Sequence, residues 1–493
     1  MMVRSSAVRF CRGEACGWRP DPQRVDARAL NHPRDSRAGN AAPHCGAARA
    51  YNHDNFCVSA ASVVNRRRFT QALGLLGVAQ LCPRGIGAEN AATADHSREL
   101  QAAGLAVSAI LERHLKAGYI AGAVALLARG DAAELVVVGD KAKEPSDPLR
   151  GDGIFRISSM TQPITAAVTM MLIEEGRLRL DAPVDRWLPE LARRRVLRHI
   201  GSPLEDTVWA KRAITLEDLL TFRCGMGILL APPDTHPIQR QIAALELPGF
   251  GPPDPASRMS PDEWMRKLGT LPLMAQPGEE WLYNTGSVIL GVLLERASRS
   301  AFPDLLHKRL LEPLGMKDTG FFVPEGKRHR LVSAYRLDAG RLQLHDAPDK
   351  SAWTSAPTFP DGGSGLVSTA DDYLAFSRLM LGRGRVGGGH LLAETSVAAM
   401  TRDHLTAEQR AGGEVILGAG RGWGYGTSVV VQRTAAGLPP GAYGWNGGLG
   451  TTWAADPQSG RTAILLTQTM FTSPQVPAMH QEVWRAVFSP DLL

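Results

Sequence analysis

The alternation of apolar and polar positions predicts a chain that combines helices with strands. Apolar residues recur at helical spacing over residues 95–116, which predicts a first helix. Two short apolar runs follow, at 121–127 and 135–138, and both are typical of strands. A second helix is predicted to begin near Ser159 and to continue through residues 165–175. The first third of the chain therefore has the order helix, two strands, helix.

The rest of the chain divides into a helical middle and a strand-rich end. Residues 186–300 have apolar positions typical of helices, joined by connections rich in Pro and Gly. Strand patterns return at 424–431, 450–455 and 462–468, and a last helix is predicted at about 476–487. This order predicts an α/β (α+β) sandwich with an all-α insertion at about 186–300.

Residues 63–88 have the organisation of a signal peptide. Arginines at 66–68 precede an apolar stretch at 72–81, and small residues follow at 86–88. The pair Arg66-Arg67 resembles the twin-arginine export signal. We therefore expect an exported protein, periplasmic or extracellular, although an amphipathic basic segment before the first helix is the alternative.

Residues 1–62 precede this signal and are predicted to lack structure. They are rich in Arg, Ala, Pro, Asp and Asn and have no apolar periodicity. Our hypothesis is that translation starts near Val63 or Val64 and that the upstream segment is a gene-model artefact. N-terminal sequencing of the native product tests this start, and finding residues before 60 would contradict it.

The charge of the chain argues against nucleic acid as a partner. The net charge is +6, but residues 1–88 contain 13 Arg, no Lys and 5 acidic residues, which gives +8 and leaves 6 − 8 = −2 for the rest.

Five of the six cysteines lie before residue 90, so Cys224 has no partner for a disulfide within the body and is expected to be a buried apolar residue. With no apolar run of about 18 residues, the body is predicted to have no transmembrane segment.

The segment Ser159-Met160-Thr161-Gln162 places a serine at the start of the predicted second helix. The helix dipole favours negative charge there, and Gln162, three positions later, shares the face of Ser159. The pattern resembles the S-x-x-K element of serine β-lactamases and penicillin-binding proteins, in which the lysine helps to deprotonate the serine. The surrounding residues 155–161 and 166–181 also resemble the β-lactamase-like serine hydrolases.

Two further segments carry the same resemblance. Tyr283-Asn284-Thr285 is similar to the Y-x-N element of class C β-lactamases and family VIII carboxylesterases, with Thr285 in place of the Asn. Residues 444–453 lie where lactamases have K-T-G, and Trp445 takes the place of the Lys. A neutral indole cannot bind a substrate carboxylate, which favours an ester over a β-lactam. Taken alone, Tyr283 is better explained as a core tyrosine, and residues 444–453 are also consistent with a glycine-rich hairpin with a packing Trp.

The resemblance covers about residues 97–487 and implies a β-lactamase/transpeptidase-like hydrolase domain at 95–490, built on an antiparallel sheet flanked by helices. It implies Ser159 as nucleophile, Tyr283 as base, and the backbone N–H groups of Ser159 and Gly448 as the oxyanion hole. It further places four residues at the substrate: Trp445, Asn446, Gly447 and Thr285. A small-molecule ester or acyl substrate is expected, with no metal and no cofactor; the oligomeric state is left open.

Gln162 departs from the family pattern at the position of the lysine. A carboxamide donates and accepts hydrogen bonds, but it has neither a charge nor a basic lone pair, so Gln162 can orient Ser159 and cannot take its proton. General-base catalysis is worth about 10²- to 10⁴-fold. The sequence therefore leaves three alternatives: a weakened esterase, a silent pseudo-enzyme that binds an acyl or cell-wall ligand, and a one-codon sequence variant. A β-lactamase or D-amino-acid peptidase-like activity is a further alternative.

Overall fold

The structure is a computed structural model that describes residues 86–489, with side chains described from Ala94 onward. The upstream segment 1–62 and residues 63–85 of the predicted signal peptide lie outside the described residues. Among the helices of the described part, none is long and apolar enough to cross a bilayer.

The described residues contain the following elements. The helices are α1 (Ile86–Lys116), α2 (Thr161–Glu174), α3 (Leu216–Leu220), α4 (Pro237–Ala244), α5 (Pro261–Thr270), α6 (Thr285–Ser298), α7 (Phe302–Leu306), α8 (Glu312–Leu314), α9 (Ala370–Leu381), α10 (Glu394–Met400), α11 (Ala407–Leu417) and α12 (Ala478–Phe488). The strands are β1 (Gly122–Arg129), β2 (Ala132–Lys143), β3 (Ser146–Pro148), β4 (Phe155–Arg156), β5 (Arg195–Leu197), β6 (Thr207–Trp209), β7 (Ala334–Asp338), β8 (Arg341–Asp346), β9 (Val367–Ser368), β10 (Arg385–Val386), β11 (Gly389–His390), β12 (Arg421–Trp423), β13 (Ser428–Val430), β14 (Tyr443–Gly447), β15 (Thr451–Asp456) and β16 (Arg461–Thr467).

Eight strands form one antiparallel sheet in the order β12-β13-β14-β15-β16-β1-β2-β3. The sheet joins distant parts of the chain, because β16 pairs with β1 in a register that sets Leu126 opposite Ile464. The predicted mixed fold with an antiparallel sheet and flanking helices is thus confirmed.

Helices cover both faces of this sheet, and β1 shows the division. Successive side chains of a strand point to opposite faces. Ala125 and Leu127 pack in a cluster with Leu111 of α1 and Trp484 of α12. Leu126 faces the other way, into the larger core formed by α2, α6, α9 and neighbouring segments. Because both of its faces are buried, β1 is a continuous apolar run and does not alternate between apolar and polar residues.

The region 186–300 departs from the all-α insertion that we predicted. It contains α3, α4, α5 and α6, but also the two-stranded sheet β5–β6 and long irregular connections. Leu197, for example, lies on β5, and its N–H donates to the carbonyl of Leu273 in a loop at 2.9 Å. Both leucines belong to the core that also holds α2 and α6. Apolar spacing here reflects loops buried against helices, which periodicity alone does not distinguish from helical faces.

The start of α2 is fixed against the sheet from several sides. The Thr161 hydroxyl donates to the carbonyl of Ser158 at 2.6 Å, and the Tyr373 hydroxyl of α9 donates to the carbonyl of Met160 at 3.0 Å. The Thr451 hydroxyl of β15 donates to the carbonyl of Ile157 at 3.1 Å. Gly447 of β14 lies so close to Ile157 that a Cβ there would overlap with this carbonyl oxygen.

We predict that Gly447→Ala destabilises the fold and that Gly448→Ala does not. A methyl group at 447 forces β14 away from the backbone before α2, and such overpacking costs about 1–3 kcal/mol. A methyl group at 448 meets no atom within 4 Å. Urea unfolding measures both variants against the parent chain, and equal midpoints for the two variants would contradict this account.

Candidate active site

Ser159 lies in a single 3-10 turn, Ser158–Met160, that leads directly into α2. Ser158, with φ of 46°, adopts a left-handed conformation that turns the chain from β4 into this helical turn. Ser159 itself is partly exposed, whereas α2 is buried on all sides over residues 161–172. The predicted position of Ser159 at a helix start is therefore confirmed.

Four of the predicted site residues meet at one atom, the phenol oxygen of Tyr283. Gln162 donates from Nε2 to Tyr283 Oη at 3.1 Å, and the Trp445 indole N–H donates to the same oxygen at 2.8 Å. Ser159 lies in the same cavity wall as Tyr283, close enough for its side chain to lower the pKa of the phenol. The start of α2, the segment before α6 and strand β14 thus converge on a single hydroxyl group.

The surroundings of Tyr283 disfavour its ionisation. Burial of the ring raises the pKa of Tyr283 to about 12, and the interactions with Ser159, Trp445 and Gln162 offset this effect only in part. The Asp361 carboxylate raises this pKa further. At pH 7 a phenol with such a pKa is ionised in about one molecule in 10⁵.

Asn284 is a site residue that the sequence reasoning missed. Its side-chain oxygen accepts a hydrogen bond from Gln162 Nε2 at 2.9 Å, and its amide donates to the carbonyl of Gly249 at 2.8 Å. The backbone at Asn284 has φ of 81° and ψ of −56°, a strained γ-turn closed by the N–H of Thr285 bonding to Tyr283 O at 3.2 Å. We expected the third position of the Y-x-N pattern, Thr285, to contribute a side chain to the site. The side-chain amide comes instead from Asn284, at the second position.

An aromatic cluster holds Tyr283 in place. Its ring contacts the rings of Phe222, Trp281, Trp423 and Trp445, with centroids 5.5–6.4 Å apart. The edge-on contacts with Phe222, Trp423 and Trp445 have the geometry that aromatic pairs prefer. This cluster supplies the apolar environment that raises the pKa of the phenol.

The site opens into an active-site cavity of about 340 Å³. Of the described residues that line it, none carries a charge. Ser159, Tyr283, Trp445, Asn446 and Gly448 all lie in its wall, as predicted for a substrate site. Two predicted substrate residues are not in the wall: Thr285 is fully buried in the first turn of α6, and Gly447 packs against Ile157.

A buried acid, Asp361, lies behind this cavity and was also missed. Its carboxylate accepts hydrogen bonds from the Ser364 hydroxyl at 2.5 Å and from the N–H of Gly363 at 2.7 Å. Among the described residues it has no cationic partner within ion-pair distance. Burial raises the pKa of this carboxyl. Gly363 lies beside both Asp361 and Asn284, since a Cβ there would come within 3.0 Å of the Asn284 side-chain oxygen and 3.2 Å of the Asp361 carboxylate.

A serine at the start of a buried helix, joined to a tyrosine beside an antiparallel sheet, defines a serine-hydrolase site of the penicillin-recognising fold. The chain matches the beta-lactamase family over residues 107–488. It belongs to that family, which confirms the resemblance seen in the sequence.

Similar proteins include esterases and acyltransferases. Protein Rv1367c of Mycobacterium tuberculosis is 38% identical over 71% of this chain and 86% of its own length. Esterase EstB of Burkholderia gladioli is 30% identical over 76% of this chain and 92% of its own length. EstCE1, a hydrolase with promiscuous acyltransferase activity, has a TM-score of 0.67 at 26% identity and covers 79% of this chain and 99% of its own. The simvastatin synthase of Aspergillus terreus shares the fold, with a TM-score of 0.63 at 21% identity over 79% and 98% of the two chains.

We predict opposite shifts of the Tyr283 pKa in two variants. Trp445→Phe keeps an aromatic ring but removes an N–H donor to the phenol, so the pKa rises; Asp361→Asn removes a nearby negative charge, so it falls. NMR titration of protein labelled with ¹³Cζ-tyrosine, assigned with Tyr283→Phe, measures both. Shifts in the same direction would contradict the electrostatic account.

Proposed function

We propose that this protein hydrolyses neutral carboxylic esters through an acyl-enzyme formed on Ser159. The observation that carries this proposal is that Ser159 and Tyr283 lie in the wall of one cavity, with the Tyr283 oxygen receiving the N–H groups of Gln162 and Trp445. A nucleophile in contact with a titratable group that is itself held by further partners is the arrangement of covalent catalysis.

The hydrogen-bond capacity of Tyr283 determines when it can act as a base. A neutral phenol has two acceptor sites and one O–H, and both acceptor sites are engaged by Gln162 and Trp445. Its own proton is then directed to Ser159. Only the phenolate has a third acceptor site for the Ser159 proton. Base catalysis therefore depends on ionisation of Tyr283.

In the reaction, Ser159 Oγ bonds to the ester carbonyl carbon while its proton passes to the Tyr283 phenolate. The carbonyl oxygen becomes an oxyanion, for which the N–H groups of Ser159 and Gly448 are the proposed donors. The C–O bond to the alcohol then breaks, and Tyr283 returns the proton to the departing alkoxide. Water attacks the acyl-enzyme by the same route in reverse, which releases the acid and regenerates Ser159.

We expect the portion of the substrate that binds in the active-site cavity to be uncharged. The active-site cavity has no charged residue in its described wall, and Trp445 offers an indole where a carboxylate-binding lysine would stand in lactamases. A carboxylate desolvated there would have no cation to pair with, which is costly. Similarity to esterase EstB supports the same substrate class. β-Lactam or D-amino-acid peptide substrates fit this wall less well.

The rival proposal is a silent relative that binds an acyl or cell-wall ligand without turnover, and Gln162 motivates it. Export also stays a prediction, since residues 63–85 lie outside the described part of the chain. The experiments that follow separate the hydrolase from the silent relative.

We predict that a fluorophosphonate probe labels the protein at Ser159 and that p-nitrophenyl butyrate is hydrolysed. Ser159→Ala should lose both, because the acyl-accepting oxygen is gone. Ser158→Ala is the matched control: it removes the neighbouring hydroxyl of the same cavity and should keep both. Peptide mapping of the labelled protein identifies the site. Hydrolysis that survives Ser159→Ala would exclude this mechanism.

We further predict a steep pH dependence that Gln162→Lys relieves. Because the base form of Tyr283 is deprotonated and its pKa is about 12, kcat/KM should rise about tenfold per pH unit between pH 7 and 10. An ammonium at 162 lowers this pKa, so the variant should gain about 10²-fold or more at pH 7, with a flatter profile. If the parent chain shows neither turnover nor labelling and Gln162→Lys gains both, the result favours the silent relative.

A further inference from the structure

A second cavity of about 330 Å³ lies next to the active-site cavity, and we call it the rear cavity. Its wall comes from the loop after α1, the end of β16 and the start of α12. Met470 lines both cavities, so this side chain is a shared partition. Phe471, in the wall of the active-site cavity, packs its ring edge-on against His480 of the rear cavity, with centroids 5.1 Å apart.

His480, in the wall of the rear cavity, has an unused hydrogen-bond acceptor. His480 is 1% exposed, and its Nε2 lies 3.4 Å from the carbonyl oxygen of Gly450. A carbonyl only accepts, so Nε2 carries the proton and Nδ1 is left as a bare acceptor. Nδ1 has no hydrogen-bond partner among residues 94–489. The hydroxyl of Thr469, also in this wall, has none among them either.

The chemistry of the wall selects the ligand. Ile120, Leu337 and Met479 are apolar, which favours a hydrocarbon portion. Burial lowers the pKa of His480 to about 4, so the ring is neutral at pH 7. The other titratable residues of the wall are His114, which pairs with the Glu482 carboxylate at 3.2 Å, and Tyr119. Glu482 lies outside the wall and also pairs with Arg113, so the ligand is selected by the acceptor: a buried acceptor needs a ligand that donates.

We propose that the rear cavity is a second binding site, for a small uncharged aliphatic alcohol. The alcohol hydroxyl donates to His480 Nδ1 and accepts from Thr469 Oγ1, while the alkyl chain lies against the apolar wall. The volume is at the lower end of the range of small-molecule sites, which suits a chain of about six carbons. No assignment made above for the active site includes this cavity.

Residues 470–471 connect the rear cavity to Gly448, one of the proposed oxyanion-hole donors. The N–H of Phe471 donates to the carbonyl of Gly448 at 2.9 Å, and the N–H of Met470 donates to the carbonyl of Tyr335 at 2.8 Å. An alcohol that contacts Met470 is therefore one residue away from the backbone bond to Gly448. Binding itself requires neither Ser159 nor turnover, so the proposal stands apart from the proposed hydrolysis.

Isothermal titration of the full chain carrying Ser159→Ala with 1-hexanol tests the site. We expect saturable binding that is stronger than binding of hexanoate, which is charged, and of 1-methoxypentane, which has the same size but no donor. Thr469→Val should weaken hexanol binding about two- to tenfold through the loss of one hydrogen bond. His480→Leu should weaken it further, with thermal melts reporting whether each variant folds.

Two aromatic substitutions at exposed positions locate the bound alcohol. Ala478→Phe narrows the rear cavity and should abolish hexanol binding, whereas Ser473→Phe adds the same ring at the active-site cavity and should leave it. The reverse pattern places the alcohol in the active-site cavity and overturns the proposal. So would hexanoate or methoxypentane binding as tightly as hexanol, or the absence of saturable heat.

Discussion

The arrangement of the active site depends on one oxygen atom, the phenol oxygen of Tyr283. Gln162 and Trp445 donate hydrogen bonds to it, the Ser159 side chain influences its pKa, and all three side chains are neutral. A buried oxygen with only neutral partners resists ionisation, and the pKa of Tyr283 is accordingly raised to about 12. The fold must therefore hold Gln162 and Trp445 at hydrogen-bond distance from the phenol oxygen, and Ser159 in the same cavity wall, although none of the three carries a positive charge to stabilise a phenolate.

Backbone contacts hold the start of α2 and the segment of Tyr283 in the positions that these hydrogen bonds require. The start of α2 is tied to β15 and α9 by bonds to the carbonyls of Ile157 and Met160. Tyr283 precedes a strained γ-turn at Asn284, which two side-chain hydrogen bonds keep in place. Strain of this kind persists where the surroundings over-determine the conformation. Gln162 connects the start of α2 to this turn, because its Nε2 donates to both Tyr283 Oη and Asn284 Oδ1.

Sequence patterns predicted the parts of this site that depend on local spacing. The helix start at Ser159 and the strands near the chain ends follow from periodicity, and Trp445 was located by its place in a family segment. Asn284 and Asp361 were visible as residues, yet their roles arise from neighbours more than seventy positions away. The all-α insertion missed the sheet β5–β6 for a related reason: Leu197 of β5 and Leu273 of a loop are buried by contact with each other, which leaves no periodic signature.

The combination of Gln162 with a buried Asp361 indicates how this site differs from one with a lysine at the same position. A lysine at 162 would place an ammonium near Tyr283 Oη and Asn284. The Asn284 side-chain oxygen and the Asp361 carboxylate both lie beside Gly363, so that cation and carboxylate would partly balance each other. With Gln162 the carboxylate is uncompensated, and its field opposes formation of a second negative charge on Tyr283. Neutral hydrogen bonds can orient the phenol but cannot cancel that field. The geometry for acyl transfer is therefore retained, and the rate at neutral pH is limited by the charge state of a single side chain.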